Sequence, residues 1–251
     1  MAGRTVLVTG AGRGIGRCVA RRLSAEGHRV ALTARSADQL AGTARECAGE
    51  TLVLPADLAA PDGVDPVVDE VERVWGPVEV LVANAGAASS APLHRTTDEE
   101  WQRLLDINLT APFRCVRRVA PGMVAGGYGR IVVIASVAAR HGEKYVAAYT
   151  ASKHGVLGLV RAAAAELAGT GVTANAVCPG YVDTPLTDRN VATIAARTGR
   201  STEQTRQALA AKQPIGRLIT VDEVADVVLL CVASAAVTGQ AINVDGGAVQ
   251  S

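Results

Sequence analysis

The stretch RTVLVTGAGRGIGRCVARRLSAEG, residues 4–27, is the part of the sequence that most clearly predicts the fold class. Its apolar run Thr5–Thr9 predicts a short buried strand, and a glycine-rich turn then leads into a helix that begins near Gly14. Gly10 permits a sharp turn, Gly14 lets a phosphate approach the backbone, and Gly16 permits tight packing of helix on strand. Free N–H groups at the start of that helix face a pyrophosphate. The stretch therefore predicts a phosphate-binding strand–turn–helix unit.

Buried strands recur along the rest of the chain, with helical patterns between most of them. The candidates are Thr5–Thr9, Arg29–Ala34, Thr51–Ala56, Val78–Ala83, Arg130–Ala135, Thr173–Val177 and Ala241–Val244. This alternation predicts an α/β fold in which helices cover both faces of a parallel sheet, a Rossmann-type doubly wound sheet. Ligands bind such sheets beyond the carboxyl ends of the strands. Four candidate site residues stand there: Gly10, Asn84, Ser136 and Pro179.

Composition is that of one enzyme-sized domain spanning residues 1–251. The chain is 49% hydrophobic and 20% charged, which suits a well-filled core. The formal net charge of +1 gives no general attraction to nucleic acid or to an anionic membrane, so we expect neither as a partner.

Cysteine and histidine patterns favour a reduced protein without a metal. The five cysteines are widely spread and show no CxxC spacing, as expected of free thiols in a cytoplasmic protein. The four histidines show no ligand spacing, so we expect no metal site. The first predicted strand begins at Thr5, so we expect no signal peptide, and the apolar runs are too short to cross a bilayer.

A tyrosine–lysine pair in AYTASKHG carries the predicted chemistry. Tyr149 and Lys153 are four positions apart, which on a helix places the phenol and the ammonium on one face. A cation about 4 Å away in a partly screened site favours a phenolate by roughly 4 kcal/mol. We therefore expect Lys153 to lower the pKa of Tyr149 toward neutral pH, where acid–base catalysis works best.

Ser136 stands upstream in VIASVA, where it can hold a carbonyl oxygen and stabilise the alkoxide that forms there. An isolated YxxxK pair also arises by chance on amphipathic helices, so the interpretation depends on its agreement with the glycine-rich turn.

The second strand predicts the cofactor. A site that prefers NAD usually presents an acid at the end of this strand to bind the adenosine ribose hydroxyls. In RVALTARS that position is Ala34, followed by Arg35. Arg35 would meet the 2′-phosphate of NADP with positive charge. Arg13, inside the glycine-rich turn, can reach that 2′-phosphate from the other side. Either arginine alone is more often a solvated surface charge, but together, without a competing carboxylate, they favour NADP(H) over NAD(H).

From end to end the chain resembles the short-chain dehydrogenase/reductase family. The motifs that carry the resemblance are TGAGRGIG, Asp57 in PADLA, ANAG at 83–86, Asn108 in INLT, Ser136, Tyr149 with Lys153, and CPGYVDTP at 178–185. Ala83 departs from the family pattern, which usually has asparagine there, whereas Asn84 is kept.

The resemblance implies a role for each matched residue. The catalytic set is Asn108, Ser136, Tyr149 and Lys153. The implied cofactor contacts are Gly10, Arg13, Gly14, Ile15, Gly16, Arg35, Asp57, Leu58, Asn84, Ala85, Gly86, Tyr149, Lys153, Pro179, Gly180, Val182 and Thr184. Asn108 would hold a water that links Lys153 to solvent, and Thr184 would contact the nicotinamide carboxamide. Asp57 would hold the adenine ring, or else serve only as a turn residue.

The substrate is predicted only as a class. Two motifs, SKHGVLGL and PIGR, resemble those of 3-oxoacyl reductases and polyketide ketoreductases. The segment at approximately 185–213 resembles the family's mobile lid. Its sequence, which ends in KQP, is more similar to that of 3-hydroxybutyrate dehydrogenases. We therefore expect NADPH-dependent reduction of a 3-oxoacyl (β-keto) substrate, free or linked to CoA or a carrier. The alternatives are a 3-hydroxybutyrate-type dehydrogenase or one that interconverts a small secondary alcohol and its ketone, a polyketide ketoreductase and, more remotely, a catalytically silent NADP-binding sensor. The family is commonly homotetrameric, which we also expect here.

Overall fold

A computed structural model describes residues 3–250 and contains one seven-stranded parallel sheet. Its strands are β1 (Thr5–Thr9), β2 (Arg29–Ala34), β3 (Thr51–Pro55), β4 (Val80–Ala83), β5 (Gly129–Ile134), β6 (Val172–Pro179) and β7 (Ala241–Val244). All seven predicted strands are present. The largest differences in bounds are that β4 begins at Val80 rather than Val78 and that β6 continues through Pro179 rather than ending at Val177.

Helices lie between the strands, as the alternating pattern predicts. They are α1 (Gly14–Ala25), α2 (Ala37–Ala44), α3 (Asp65–Trp75), α4 (Asp98–Leu105), α5 (Ala111–Ala125), α6 (Ala147–Glu166), α7 (Pro185–Thr198), α8 (Thr202–Ala210) and α9 (Val221–Ala233). A π-helical turn, Asp106–Thr110, joins α4 to α5. Such turns inside helices are frequent at functional sites.

Two apolar layers cover the sheet, one on each face. Along β1, Val6 and Val8 are buried with residues of α1 and α9, whereas Leu7 is buried in the layer that contains α3, α5 and α6. Successive side chains of a strand point to opposite faces, so a strand covered on both sides is apolar throughout. The doubly wound parallel sheet is confirmed.

The strand order β3-β2-β1-β4-β5-β6-β7 reverses direction at β1. β1 pairs in parallel with β2 on one side and with β4 on the other. The crevice beyond the carboxyl ends of β1 and β4 is therefore the topological switch point, the place where α/β sheets of this kind bind ligands.

Two further findings concern composition. The five cysteines are free thiols, and four of them are buried. Within residues 3–250, no helix is long and apolar enough to cross a membrane.

Candidate active site

The glycine-rich turn and the loop after β4 are in close contact at the switch point. Gly10 has φ = +65°, a left-handed conformation that favours glycine. A Cβ on Gly10 would lie 2.8 Å from Asn84 Nδ2, and a Cβ on Gly16 would collide with the carbonyl oxygen of Gly10. The predicted sharp turn and the tight helix–strand contact are therefore both present.

Thr9 and Asn84 hold these two loops together. The Thr9 hydroxyl accepts hydrogen bonds from the backbone N–H groups of Asn84 and Ala85, each at 2.9 Å. Asn84 Nδ2 donates to the carbonyl oxygens of Thr9 (2.9 Å) and Gly10 (3.2 Å). Asn84 thus supports the central strand even though Ala83 replaces the usual asparagine. The motif TGAGRGIG contains Thr9 but does not reveal this role, because the hydrogen bonds of its hydroxyl group reach the neighbouring strand's loop, at Asn84 and Ala85.

The predicted catalytic residues meet on the same rim. Ser136 follows β5, is 9% exposed, and its hydroxyl accepts the backbone N–H of Ala138 at 3.1 Å. Tyr149 and Lys153 face it from α6, with Lys153 Nζ 5.8 Å from the centre of the Tyr149 ring. A Cβ on Gly86 would lie 3.8 Å from Lys153 Nζ, which places the ammonium beside the loop after β4.

The expected lowering of the Tyr149 pKa by Lys153 is wrong for this chain. Burial raises the pKa of Tyr149, and hydrogen bonding with Ser136 only partly offsets that effect. Lys153 Nζ instead donates to the carbonyl oxygen of Ile134 at 2.8 Å and lies 5.8 Å from the centre of the Tyr149 ring. The phenol is therefore protonated at neutral pH, the state that a proton donor needs.

Lys153 itself is strongly perturbed. The side chain is 5% exposed, and burial lowers its pKa to about 8. A buried ammonium is disfavoured because water no longer solvates it. At neutral pH the lysine is still mostly charged, so the site combines a protonated phenol with a nearby cation.

Asn108 lies in the π-helical turn and braces the loop after β4. Its Oδ1 accepts the N–H of Ala87 at 3.0 Å, and its Nδ2 donates to the carbonyl oxygen of Ala87 at 2.9 Å and to Ser152 Oγ at 3.2 Å. Ser152 Oγ in turn donates to the carbonyl oxygen of Tyr149 at 2.7 Å. Asn108 is thus linked to the catalytic helix through Ser152, a residue that the sequence analysis missed although it lies between Tyr149 and Lys153. The predicted water relay through Asn108 stays a prediction.

The segment after β6 lies over the glycine-rich turn. Thr184 is 9% exposed and caps α7 by accepting the N–H of Thr187. A Cβ on Gly14 would lie 3.4 Å from Thr184 Cγ2. Val182 is buried and forms an isolated parallel bridge with Ile219. The structure therefore brings Pro179, the last residue of β6, and the residues up to Thr184 to the same crevice as the glycine-rich turn.

Asp57 and Leu58 stand just after β3, two strands away from the switch point. Asp57 is exposed, and its Oδ1 accepts the N–H of Ala59 at 3.1 Å, a local turn contact. Leu58 is buried. The turn role of Asp57 is thus visible, whereas the adenine contacts of both residues stay predictions.

Arg13 and Arg35 both lie at a cavity beside the glycine-rich turn. Their side chains are exposed, and no carboxylate among residues 3–250 lies within ion-pair distance of either. Burial lowers the pKa of Arg13, and the neighbouring Arg189 and Arg35 lower it further. The two arginines that the sequence singled out therefore share one positively charged surface, where an anionic group fits.

A second charged cluster, missed by the sequence analysis, connects the segment after β6 to the loop before α6. Tyr181 donates a hydrogen bond of 2.5 Å to Glu143, and Lys212 Nζ lies 2.6 Å from the same carboxylate. Burial raises the pKa of Tyr181 to about 12, and the hydrogen bond to the Glu143 carboxylate contributes to the increase. Glu143 belongs to the loop before α6, and Lys212 follows α8, so this cluster joins two segments that are distant in sequence.

Gln213, the central residue of KQP at 212–214, has a structural role beside the site. It is 1% exposed, accepts the N–H of Tyr181 at 2.8 Å and donates to the carbonyl oxygen of Arg217 at 2.6 Å. A Cβ on Gly180 would collide with its Oε1. Gln213 therefore braces the backbone beside the site, and Gly180 is required because Gln213 packs against it.

Residues that could bind a metal do not cluster in the described part of the chain, where no group of three or more His, Cys, Asp or Glu side chains is found.

With this geometry established, the comparisons with known proteins identify the family. The model of the short chain dehydrogenase family matches residues 4–195. The chain belongs to the short-chain dehydrogenase family.

Several relatives match nearly the whole chain. A granaticin polyketide synthase putative ketoacyl reductase 1 from Streptomyces violaceoruber is 42% identical, over 96% of this chain and 91% of that protein. The 3-oxoacyl-acyl-carrier-protein reductase MabA of Mycobacterium tuberculosis is 40% identical, over 97% of this chain and 92% of its own. A crystal structure of an actinorhodin polyketide ketoreductase with NADPH superposes with a TM-score of 0.94 at 41% identity and covers 99% of both chains.

Proposed function

We propose that this protein is an NADPH-dependent carbonyl reductase that converts a 3-oxoacyl (β-keto) substrate into the 3-hydroxy compound. The observation that carries the proposal is that Ser136, Tyr149 and Lys153 meet on the rim of the sheet that also holds the glycine-rich turn. The names of the ketoacyl reductase relatives, and the NADPH in the actinorhodin ketoreductase structure, support the substrate class and the cofactor.

The residues present fit such a cofactor. Gly10 and Gly16 let the turn pack closely against Asn84, and helix α1 begins directly after the turn, at Gly14, with its free N–H groups. Arg13 and Arg35 supply unpaired positive charge for a 2′-phosphate. Asn84, Pro179 and Thr184 border the same crevice, where the nicotinamide end is expected. NADPH, when bound, supplies the hydride for carbonyl reduction.

The chain's own residues then manage the proton and the developing charge. Ser136 holds the substrate oxygen by hydrogen bonding and stabilises negative charge as it develops there. Tyr149, protonated at neutral pH because burial raises its pKa, donates its proton to that oxygen. Lys153 Nζ, fixed by the Ile134 carbonyl oxygen beside the loop after β4, would bind the ribose next to the nicotinamide, the role that the family resemblance implies for it.

The segment 185–213 acts in this proposal as a lid. It directly follows Thr184, which lies over the glycine-rich turn, and near its far end Lys212 is ion-paired to Glu143 of the loop before α6. Closure of such segments excludes water from the reaction. We further infer one dinucleotide-binding domain over residues 1–251, a homotetramer and a cytoplasmic location, which the resemblance and the five free thiols support.

A substrate screen tests the proposed reaction. Purified protein is assayed with NADPH against acetoacetyl-CoA, acetoacetate, bicyclic ketones and aryl ketones. We expect reduction of at least one β-keto compound, and Tyr149→Phe should lower its rate by at least about 100-fold with NADPH affinity retained. Tyr128→Phe is the matched control, because Tyr128 lies at the opposite end of β5, beside Arg4 and Arg130. A wild-type protein that binds NADPH but reduces no member of the panel would favour the sensor alternative.

A further inference from the structure

A cavity of about 540 Å³ lies between the glycine-rich turn, the end of β2, the loop after β4 and helix α7. Its lining contains five arginines: Arg13, Arg35, Arg103, Arg189 and Arg197. No Asp or Glu of the described chain is part of this lining. A cleft lined by charge of one sign concentrates ions of the opposite sign, so the cavity attracts anions.

Two of the five arginines are already engaged in the protein. Arg103 is paired with Glu100 at 2.6 Å, which neutralises its charge locally. Arg197 donates to the carbonyl oxygen of Ser90 at 2.7 Å and so attaches the end of α7 to the loop after β4. These contacts shape the cavity and fix both guanidinium groups, although the Ser90 carbonyl oxygen leaves the positive charge of Arg197 uncompensated.

Arg13, Arg35 and Arg189 have no ion-pair or hydrogen-bond partner for their guanidinium groups within the residues that the structure describes. The repulsion is evident at Arg13, whose pKa is lowered by burial and then by Arg189 and Arg35. Three cations gathered without a carboxylate destabilise one another unless an anion binds between them. A phosphate matches the planar guanidinium fork and can bind several arginines at once.

The three arginines belong to different parts of the fold. Arg13 lies in the glycine-rich turn and Arg35 directly after β2, so both are fixed to the sheet. Arg189 lies in α7, within the segment proposed above as a lid. An anion that contacts all three therefore links the lid to the sheet.

We propose that Arg189 joins Arg13 and Arg35 in binding the 2′-phosphate of NADPH, so that this phosphate also holds helix α7 against the sheet. The inference rests on the proposed function and assigns Arg189 as a further specificity-determining residue. Because NADH lacks the 2′-phosphate, it binds without this link to α7. Cofactor choice and lid closure are then coupled, and each favours the other.

The experiment compares Arg189→Gln with Arg200→Gln. Arg200 is an exposed arginine in the same segment, outside the cavity lining, and serves as the matched control. Dissociation constants for NADPH and NADH are measured by fluorescence titration without substrate. We expect Arg189→Gln to weaken NADPH binding about tenfold or more, since it loses a charge-assisted contact, and NADH binding less than about twofold. Arg200→Gln should change neither.

Hydrogen exchange provides a second readout that does not depend on turnover. In the wild-type protein we expect saturating NADPH to slow backbone exchange in α7 more than saturating NADH does. Arg189→Gln should abolish that difference, even at NADPH concentrations that restore full occupancy. Arg200→Gln should retain it.

Three results would overturn the inference. The first is unchanged NADPH binding in Arg189→Gln, and the second is an equal loss for NADPH and NADH, which would place Arg189 at the shared part of the dinucleotide. The third is a raised KM for acetoacetyl-CoA with unchanged NADPH affinity, which would assign the arginines to a substrate phosphate. Each of these leaves reduction by the wild-type protein intact, whereas a wild-type protein that binds no NADPH removes the proposed function itself.

Discussion

Two regions of the crevice solve different electrostatic problems. The catalytic corner, formed by Ser136, Tyr149 and Lys153, is largely buried, and its Ser136 and Lys153 side chains already have hydrogen-bond partners within the protein. The arginine rim, formed by Arg13, Arg35 and Arg189, is exposed and lacks anionic partners in the residues the structure describes. The corner is thus preorganised by the fold, whereas the rim is completed by its ligand.

This difference separates reaction from recognition. Fixed donors and charges near a reacting atom accelerate chemistry because they need no reorganisation when the charge develops. Unpaired arginines on a rim instead provide affinity and selectivity for a phosphate. Changes in the corner should therefore lower kcat, and changes on the rim should alter cofactor affinity and preference.

The largest effect after Tyr149→Phe is expected for Ser136→Ala. Loss of one donor to a developing oxyanion should lower kcat by about 100- to 1,000-fold. Steady-state kinetics with the best substrate of the panel measure this loss. Ser24→Ala is the matched control, because Ser24 is also a buried serine but lies near the C-terminal end of α1, where its Oγ accepts the N–H of Gly49, and it should leave kcat nearly unchanged. Equal losses in the two variants would mean that Ser136 acts only through packing.

A second prediction concerns the buried lysine and pH. Burial lowers the Lys153 pKa to about 8, so above that pH the folded protein holds fewer protons than the unfolded chain. The free energy of unfolding contributed by Lys153 should then increase with pH, by about 2 kcal/mol between pH 8 and pH 10. The prediction stops at pH 10 because Tyr149 has the opposite effect above that pH. Its pKa is raised in the folded protein, so the unfolded chain loses the phenol proton first and the free energy of unfolding falls.

Urea denaturation of the wild-type protein and of Lys153→Met at pH 8, 9 and 10 measures this contribution. The wild type should gain stability relative to the variant across the series. Parallel stability curves would show that Lys153 is not desolvated in the folded protein.

A smaller effect is expected where the proposed lid meets the loop before α6. Lys212→Met removes the ammonium from Glu143 and Tyr181. Because the Lys212 side chain is 53% exposed, we expect the free energy of unfolding to fall by less than about 1 kcal/mol. Thermal denaturation measures the change. Lys144→Met is the control, because Lys144 is an exposed lysine next to Glu143 in the loop before α6. A loss of several kcal/mol would mean that the cluster is a core element rather than a surface contact.

Much of the fold could be predicted because its signals are local in sequence. The glycine-rich turn at Gly10, Gly14 and Gly16 needs left-handed backbone and close contacts that few other residues permit, so the motif itself indicates the geometry. The seven buried strands are likewise apolar throughout because both faces are covered. Their order in the sheet then places Asn84 and Ser136 on one rim.

What could not be predicted depends on contacts between distant segments. The Ile134 carbonyl oxygen that accepts from Lys153, and the burial that raises the pKa of Tyr149, follow from how α6 packs on β6 and on the turn at 137–139 after β5. The spacing of tyrosine and lysine on a helix contains neither. The same holds for Arg189, whose position beside Arg13 depends on where α7 lies.

The most direct test of the separation between corner and rim compares Tyr149→Phe with Arg35→Asp in two measurements, kcat at saturating NADPH and the NADPH dissociation constant. We predict that Tyr149→Phe loses at least about 100-fold in kcat with NADPH affinity within about twofold of the wild type. Arg35→Asp should weaken NADPH at least about tenfold, and NADH much less, while retaining most of kcat. If both variants lose kcat and NADPH affinity together, or if Arg35→Asp weakens both cofactors equally, the two regions are not separate and the account is contradicted.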